Sequence, residues 1–250
     1  MVSETDWLSC ADPQKMLSLL RNHGATERKL RLFAVACCRG VLDALELFPA
    51  ARWFVEVNEQ VADGHISAAD AWSAANPAHS ELAVRRWLDA NSLVSAGDMI
   101  HALWPQLRSD DVLRGAEEVA GYDAVYALLA ESARERSFRW WRRGPKVSDA
   151  AATAAWEAAV AAKRSELVAL VRCIFGTPFR QPTFDPSWRT ETAVALATQM
   201  YDMRDFSLMP ILGDALQDAG CPDGDVLEHC RGANLHVRGC FVVDLVLGRS

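Results

Sequence analysis

The sequence predicts an all-α fold, a multi-helix bundle or orthogonal helical array, on three observations. Apolar residues recur at three- and four-residue spacing along most of the 250 positions. No stretch alternates apolar and polar residues for long enough to make a strand. Prolines, glycines and small polar residues fall where helices start and stop.

Element by element, Asp12 and Pro13 supply a cap and a first-turn proline, and Met16, Leu17 and Leu20 keep helical spacing as far as Gly24. Thr26 caps the next helix, whose stripe of Leu30, Phe33, Cys37, Val41 and Leu45 is widened by Leu32, Val35 and Leu42; that breadth predicts a central position. Pro49 opens a third, with Trp53, Val57 and Val61 on one side and Gly64 as its stop. From Ser67 to about Arg136 the pattern stays helical but alanine-rich, interrupted at Asn76-Pro77, Trp104-Pro105 and Gly121. Ser148 caps a long helix packed through Trp156, Val160, Leu167, Leu170 and Ile174 and ended by Gly176. GTPFRQPTFDPSW, residues 176–188, has three prolines and three aromatics and predicts an ordered loop. Thr190 then starts a helix through Tyr201, and Asp205 another through Ala219 that confines Pro210 to its first turn. Pro222 fits the first turn of a short helix ending near Cys230, with Gly232 as its stop. The Gly144-Pro145 break predicts two helical subdomains sharing a core: 1–144, with the alanine-rich middle, and 145–250, with a His/Cys cluster.

Half of the residues are hydrophobic and 24% are charged, which excludes a disordered chain. The net charge of -7 argues against general attraction to nucleic acid or to anionic membranes. The apolar run from Cys240 to Leu247 is too short to span a bilayer, and MVSETDWLSC lacks the layout of a secretory signal. Seven cysteines, an odd number, read as reduced thiols or ligands rather than a disulfide framework. A cytoplasmic protein is expected.

The segments FGTPFRQPTFDPSW, ALATQMYDMRDFSLMPILGDALQDAGC and HCRGANLHVRGCFVVDLVLG, with DWLSCADPQKMLSLL and RKLRLFAVACCRGV near the start, cover a little over a third of the chain. They resemble a family of paralogous proteins from planctomycete-type bacteria with the signature FGxPFR…DALxxAGC…HCR…HxRGC…D…LG. Phe241 stands where those relatives commonly carry tryptophan. No activity is established for that family, so the resemblance implies relatives without implying a reaction.

Two clusters carry candidate chemistry. Cys221, His229, Cys230, His236 and Cys240 place five soft ligands within twenty residues, and a helical last segment would put His236 and Cys240 on one face as two metal ligands. Five exceed what one tetrahedral zinc takes, and C-x7-HC-x5-H-x3-C is not an established zinc spacing. Buried cysteine also serves as a small apolar filler, and His229 and Arg231 suit a helix C-terminus, so space-filling is the expected role. The second cluster, RERSFRWWRRGPK at 134–146, offers Arg139, Trp140, Trp141, Arg142 and Arg143 to a single-stranded nucleic acid, with a solvated helix end as the plainer reading. Cys37 and Cys38, about 100° apart on a helix, predict one core thiol, and no C-x-x-C suggests redox work. No phosphate-binding loop, dinucleotide fingerprint, H-E-x-x-H or G-x-S-x-G is present, and Asp214, Asp218, His229 and Asp244 are the acids and base from which a hydrolase would have to be built.

The leading expectation is a cytoplasmic helical scaffold or protein-interaction module without catalysis or cofactor, whose partner is another protein. The alternative is a zinc-type metal protein, or metal-dependent enzyme, using the C-terminal cluster. A third is a single-strand nucleic-acid binder acting through residues 134–146.

Overall fold

The computed structural model describes residues 3–40, 49–75, 149–180 and 183–249, together with positions 113, 116, 117, 120 and 124. Among the described residues the regular structure is all helical, with ten α-helices, one 3-10 turn and no strand. The helices are α1 (Glu4–Ser9), α2 (Pro13–Asn22), α3 (Glu27–Arg39), α4 (Pro49–Ala62), α5 (Ala68–Ala75), α6 (Asp149–Phe175), α7 (Glu191–Met203), α8 (Met209–Asp218), α9 (Gly224–Arg231) and α10 (Phe241–Leu247). The 3-10 turn is Pro186–Trp188. The chain divides into two compact units, one of Met1–Ala36 with Glu166–Ser250 and one of Cys37–Ser165.

In the first unit, α1 is a helix that apolar spacing does not announce, because six residues are too few to show a period. A reciprocal cap holds it instead. The Asp6 N–H donates to Ser3 Oγ at 3.2 Å and the Ser3 N–H donates to the Asp6 carboxylate at 2.8 Å. Asp12 caps α2 as its sequence predicts, accepting from the Gln14 and Lys15 N–H groups, and Met16, Leu17 and Leu20 are buried. On α3 the whole run from Arg31 to Val35 is buried, while Val41, Leu42 and Leu45 lie outside the described residues. Ser148 is outside them too, but Gly176 ends α6 at φ 62. In the loop beyond, Phe184 and Trp188 meet edge to face at 5.3 Å.

Thr190 caps α7 through the Ala193 N–H. Asp205 does not cap α8: its carboxylate takes the Ser207 N–H at 3.0 Å, a local turn, and α8 begins only at Met209, with Pro210 in its first turn. The core gathers Ala197, Met200 and Tyr201 of α7, Leu212 and Leu216 of α8, Val226 of α9, and Val242, Val243 and Val246 of α10.

Three arginines attach the N-terminal helices to this core. Arg172 of α6 donates to the carbonyls of Leu8 at 2.7 Å and Cys10 at 3.1 Å, satisfying the open end of α1. Arg180 pairs with Glu4 at 2.6 Å. Arg28 of α3 makes a two-pronged bond to Asp244 of α10, at 2.6 and 3.0 Å, and reaches the Tyr201 hydroxyl at 3.0 Å.

In the second unit, Val55, Val57 and Ala62 of α4 are buried, and Arg39 meets the buried Glu59 at 2.8 Å. Cys37 and Cys38 are both buried, so this end of α3 is covered on more than one face. Burial pushes the Cys38 thiol up to about 12, leaving it inert at neutral pH. No helix among the described residues is long and apolar enough to cross a membrane.

Candidate metal centre

The short helix α9 is fixed at its start by Asp223, which accepts the N–H groups of Asp225 and Val226 at 3.0 and 3.2 Å. Pro222 therefore stands just outside the helix. Val226 and Cys230, four apart, are the buried positions, and His229 sits beside them in the last turn. The chain then leaves helical geometry from Gly232 to Cys240. This corrects the helical spacing argument for His236 and Cys240: His236 lies in the loop and Cys240 is the N-cap of α10.

A turn brings the two together instead. The Cys240 N–H donates to the Val237 carbonyl at 2.9 Å, and Gly239, at φ 94, occupies the position that such a turn gives to glycine. A Cβ on Gly239 would also stand 2.9 Å from Leu32 Cδ1, so the turn lies directly on α3.

The last turn of α6 adds Cys173, a residue that sequence reasoning passed over. The sulfurs of Cys173 and Cys240 and one nitrogen each of His229 and His236 all lie within 4.8 Å of one another. His229 Nε2 is 3.3 Å and His236 Nδ1 is 4.0 Å from Cys240 Sγ. Zinc bonds of about 2.3 Å to sulfur and 2.0 Å to nitrogen imply edges of roughly 3.3–3.8 Å in a tetrahedron. An inward adjustment of about 1 Å at most would complete the coordination shell. The donor set suits the ion: two thiolates and two neutral imidazoles neutralise its double charge and leave nothing unpaired in a buried place.

Both sulfurs are enclosed, at 1% and 0% exposure, while the imidazoles are half-buried. Burial pushes the Cys240 thiol up, but hydrogen bonds with Cys173, His229 and His236 outweigh it and hold Cys240 well below the usual thiol range. Cys173 is driven well up by burial and by its neighbour Cys240, against a hydrogen bond from the Val237 N–H. The His229 and His236 rings stand perpendicular at 4.8 Å, and Phe241 packs on His229 at 4.6 Å. The same Phe241 ring sits where a Cβ on Gly176 would be 3.3 Å away, so it wedges the end of α6 against the start of α10.

Cys221 and Cys230 lie outside the four-residue group and within the apolar core. Cys230 occupies the crossing of α8 and α9, where a Cβ on Gly213 would be 2.9 Å from its own Cβ, and burial pushes its thiol up to about 12. Cys221 follows Gly220, at φ 88, and its N–H closes α8 on the Leu216 carbonyl. Two acids of the hydrolase arrangement are engaged elsewhere, Asp214 with Arg231 at 2.7 Å and Asp244 with Arg28. Arg238 lies over the Tyr201 ring at 4.3 Å. Arg139, Trp140, Trp141, Arg142 and Arg143 lie outside the described residues.

Cys173 left no signal in the sequence because it precedes His229 by more than fifty residues and sits in the apolar run LVALVRCIF, where a cysteine reads as filler. Fold and site together define a helical protein with a convergent cluster of two cysteines and two histidines among the described residues. No protein-family model, curated protein or solved structure matches the chain.

Proposed function

We propose that the protein is a metal-stabilised helical module in which Cys173, His229, His236 and Cys240 hold one zinc ion as a structural cross-link. The observation that supports this reading is the convergence of four soft donor atoms, from the ends of α6, α9 and α10 and the loop between the last two, within 4.8 Å. Catalytic zinc keeps one position for water or substrate, whereas four protein ligands fill a tetrahedron, so the reading assigns the site to architecture rather than turnover. A [2Fe–2S] cluster also takes two cysteines and two histidines, but it spreads them over two iron atoms; donors this close suit one ion.

The module's work on this reading is contact with another protein, in a reducing compartment such as the cytoplasm, where both ligand thiols stay reduced. The resemblance of the C-terminal segments supports placing it, on this reading, among the planctomycete-type paralogues.

Metal analysis of the purified chain tests the assignment. One zinc per chain is expected, lost in Cys173→Ala and in His236→Ala but retained in Cys221→Ala and Cys230→Ala. Metal-free native protein, or full zinc in Cys173→Ala, would overturn it.

A further inference from the structure

We propose that metal binding and the docking of the N-terminal helices, residues 3–36, are coupled, so that loss of the metal releases this segment from the core. The inference rests on the metal reading above. Three of the ligand-bearing elements grip the segment directly, within a turn of their ligands, and α9 is tied to it through Arg180. Arg172, next to Cys173, holds the Leu8 and Cys10 carbonyls. Gly239, next to Cys240, seats Leu32. Asp244, one turn beyond Cys240, is bound at both oxygens by Arg28. Arg180 spans Glu4 and Asp225, the latter one turn before His229. Lys29, one residue on from Arg28, is also within electrostatic reach of Cys240 and Cys173.

These grips differ in weight. Arg180 is exposed, and its pairs contribute little. Arg28 and Asp244 are nearly buried and joined by two charge-assisted bonds, so this contact requires Asp244 to stay in place. Four metal bonds fix the ends of α6, α9 and α10 relative to one another. Without them the 237–240 turn and the start of α10 are held by backbone bonds, by the weaker sulfur hydrogen bonds of Cys173 and Cys240 and by side-chain packing, and any shift there moves the seat of Leu32 and the partner of Arg28 together. The coupling is reciprocal, because a docked α3 holds Cys240 near its ligand position and so favours the metal.

Two measurements on the full chain decide it. Hydrogen exchange followed by mass spectrometry, with zinc loaded and then chelated, should show residues 13–36 exchanging roughly 5- to 150-fold faster without metal. Residues 191–218, which carry no ligand, should keep their protection. Competition against a chromophoric chelator should show Arg28→Met binding zinc more weakly by a factor in the same range. Unchanged exchange in residues 13–36 overturns the coupling, as does equal acceleration in both regions, which marks global unfolding. Unchanged zinc affinity in a folded Arg28→Met chain overturns it as well. Should that variant fail to fold, the exchange experiment needs no substitution and decides alone. A native chain that takes up no zinc at all fails at the earlier reading, and metal content distinguishes that failure from the others.

Discussion

Cys230 and Cys240 are both fully buried, yet their neighbours give them opposite work. Cys240 faces another sulfur and two imidazoles, a setting that favours its thiolate; Cys230 is packed against Gly213, and burial above all keeps it neutral. Their spacing to the histidines made both candidates in the sequence, and only the packing of α8 against α9 separates them. Gly213 is the residue that sets this packing, since its Cβ would fall 2.9 Å from the Cys230 Cβ. Gly213→Ala is therefore predicted to destabilise the fold by about 1–3 kcal/mol in urea unfolding, with zinc content unchanged. Cys230→Ala should not rescue it, because alanine keeps the offending carbon; a neutral Gly213→Ala would contradict the close crossing.

Elements were legible where their ends carry chemistry. Asp12-Pro13, Thr26, Thr190 and the stop at Gly176 all mark real boundaries, because a cap acts through its immediate neighbours and needs nothing distant. Asp205 and His236 show where local reading ends: the first has cap chemistry but bonds a turn, and the second has helical spacing to Cys240 but lies in a loop. Helix α1, too short for periodicity, was nevertheless written in the Ser3–Asp6 pair. That pair predicts a pH dependence. Hydrogen bonds from the Ser3 backbone and hydroxyl hold the Asp6 carboxyl below its usual range. Its contribution is thus complete above the unfolded carboxyl value of about 3.9 and is lost as pH falls through the lower folded value. Asp6→Asn should remove this part of the acid transition, read as the difference in denaturant stability between pH 6 and pH 3; an unchanged difference would count against the cap.

At the scale of the molecule, one unit is assembled from the two ends of the chain, with residues 1–36 completing a core made by residues 166–250. Contacts such as Arg28 to Asp244, and the meeting of Cys173 with Cys240, join positions far apart in sequence. Periodicity and spacing carry no information about such pairs, which is why the helical class was readable and Cys173 of the candidate site was not. A cross-link among these elements should dominate thermal stability. Free zinc at one hundred times its dissociation constant stabilises the folded state by about 2.7 kcal/mol. For a chain of this size that is a rise in Tm of roughly 5–11 °C, reversed by chelation and absent in Cys173→Ala. A Tm indifferent to zinc would mean that the ion, if bound, does not hold the fold.

The most direct test of the central claim is zinc X-ray absorption on the loaded native chain. The arrangement predicts four ligands, two sulfurs near about 2.3 Å and two imidazole nitrogens at roughly 2.0–2.1 Å. A shell of light atoms alone, or one in which water occupies a coordination position, would contradict it.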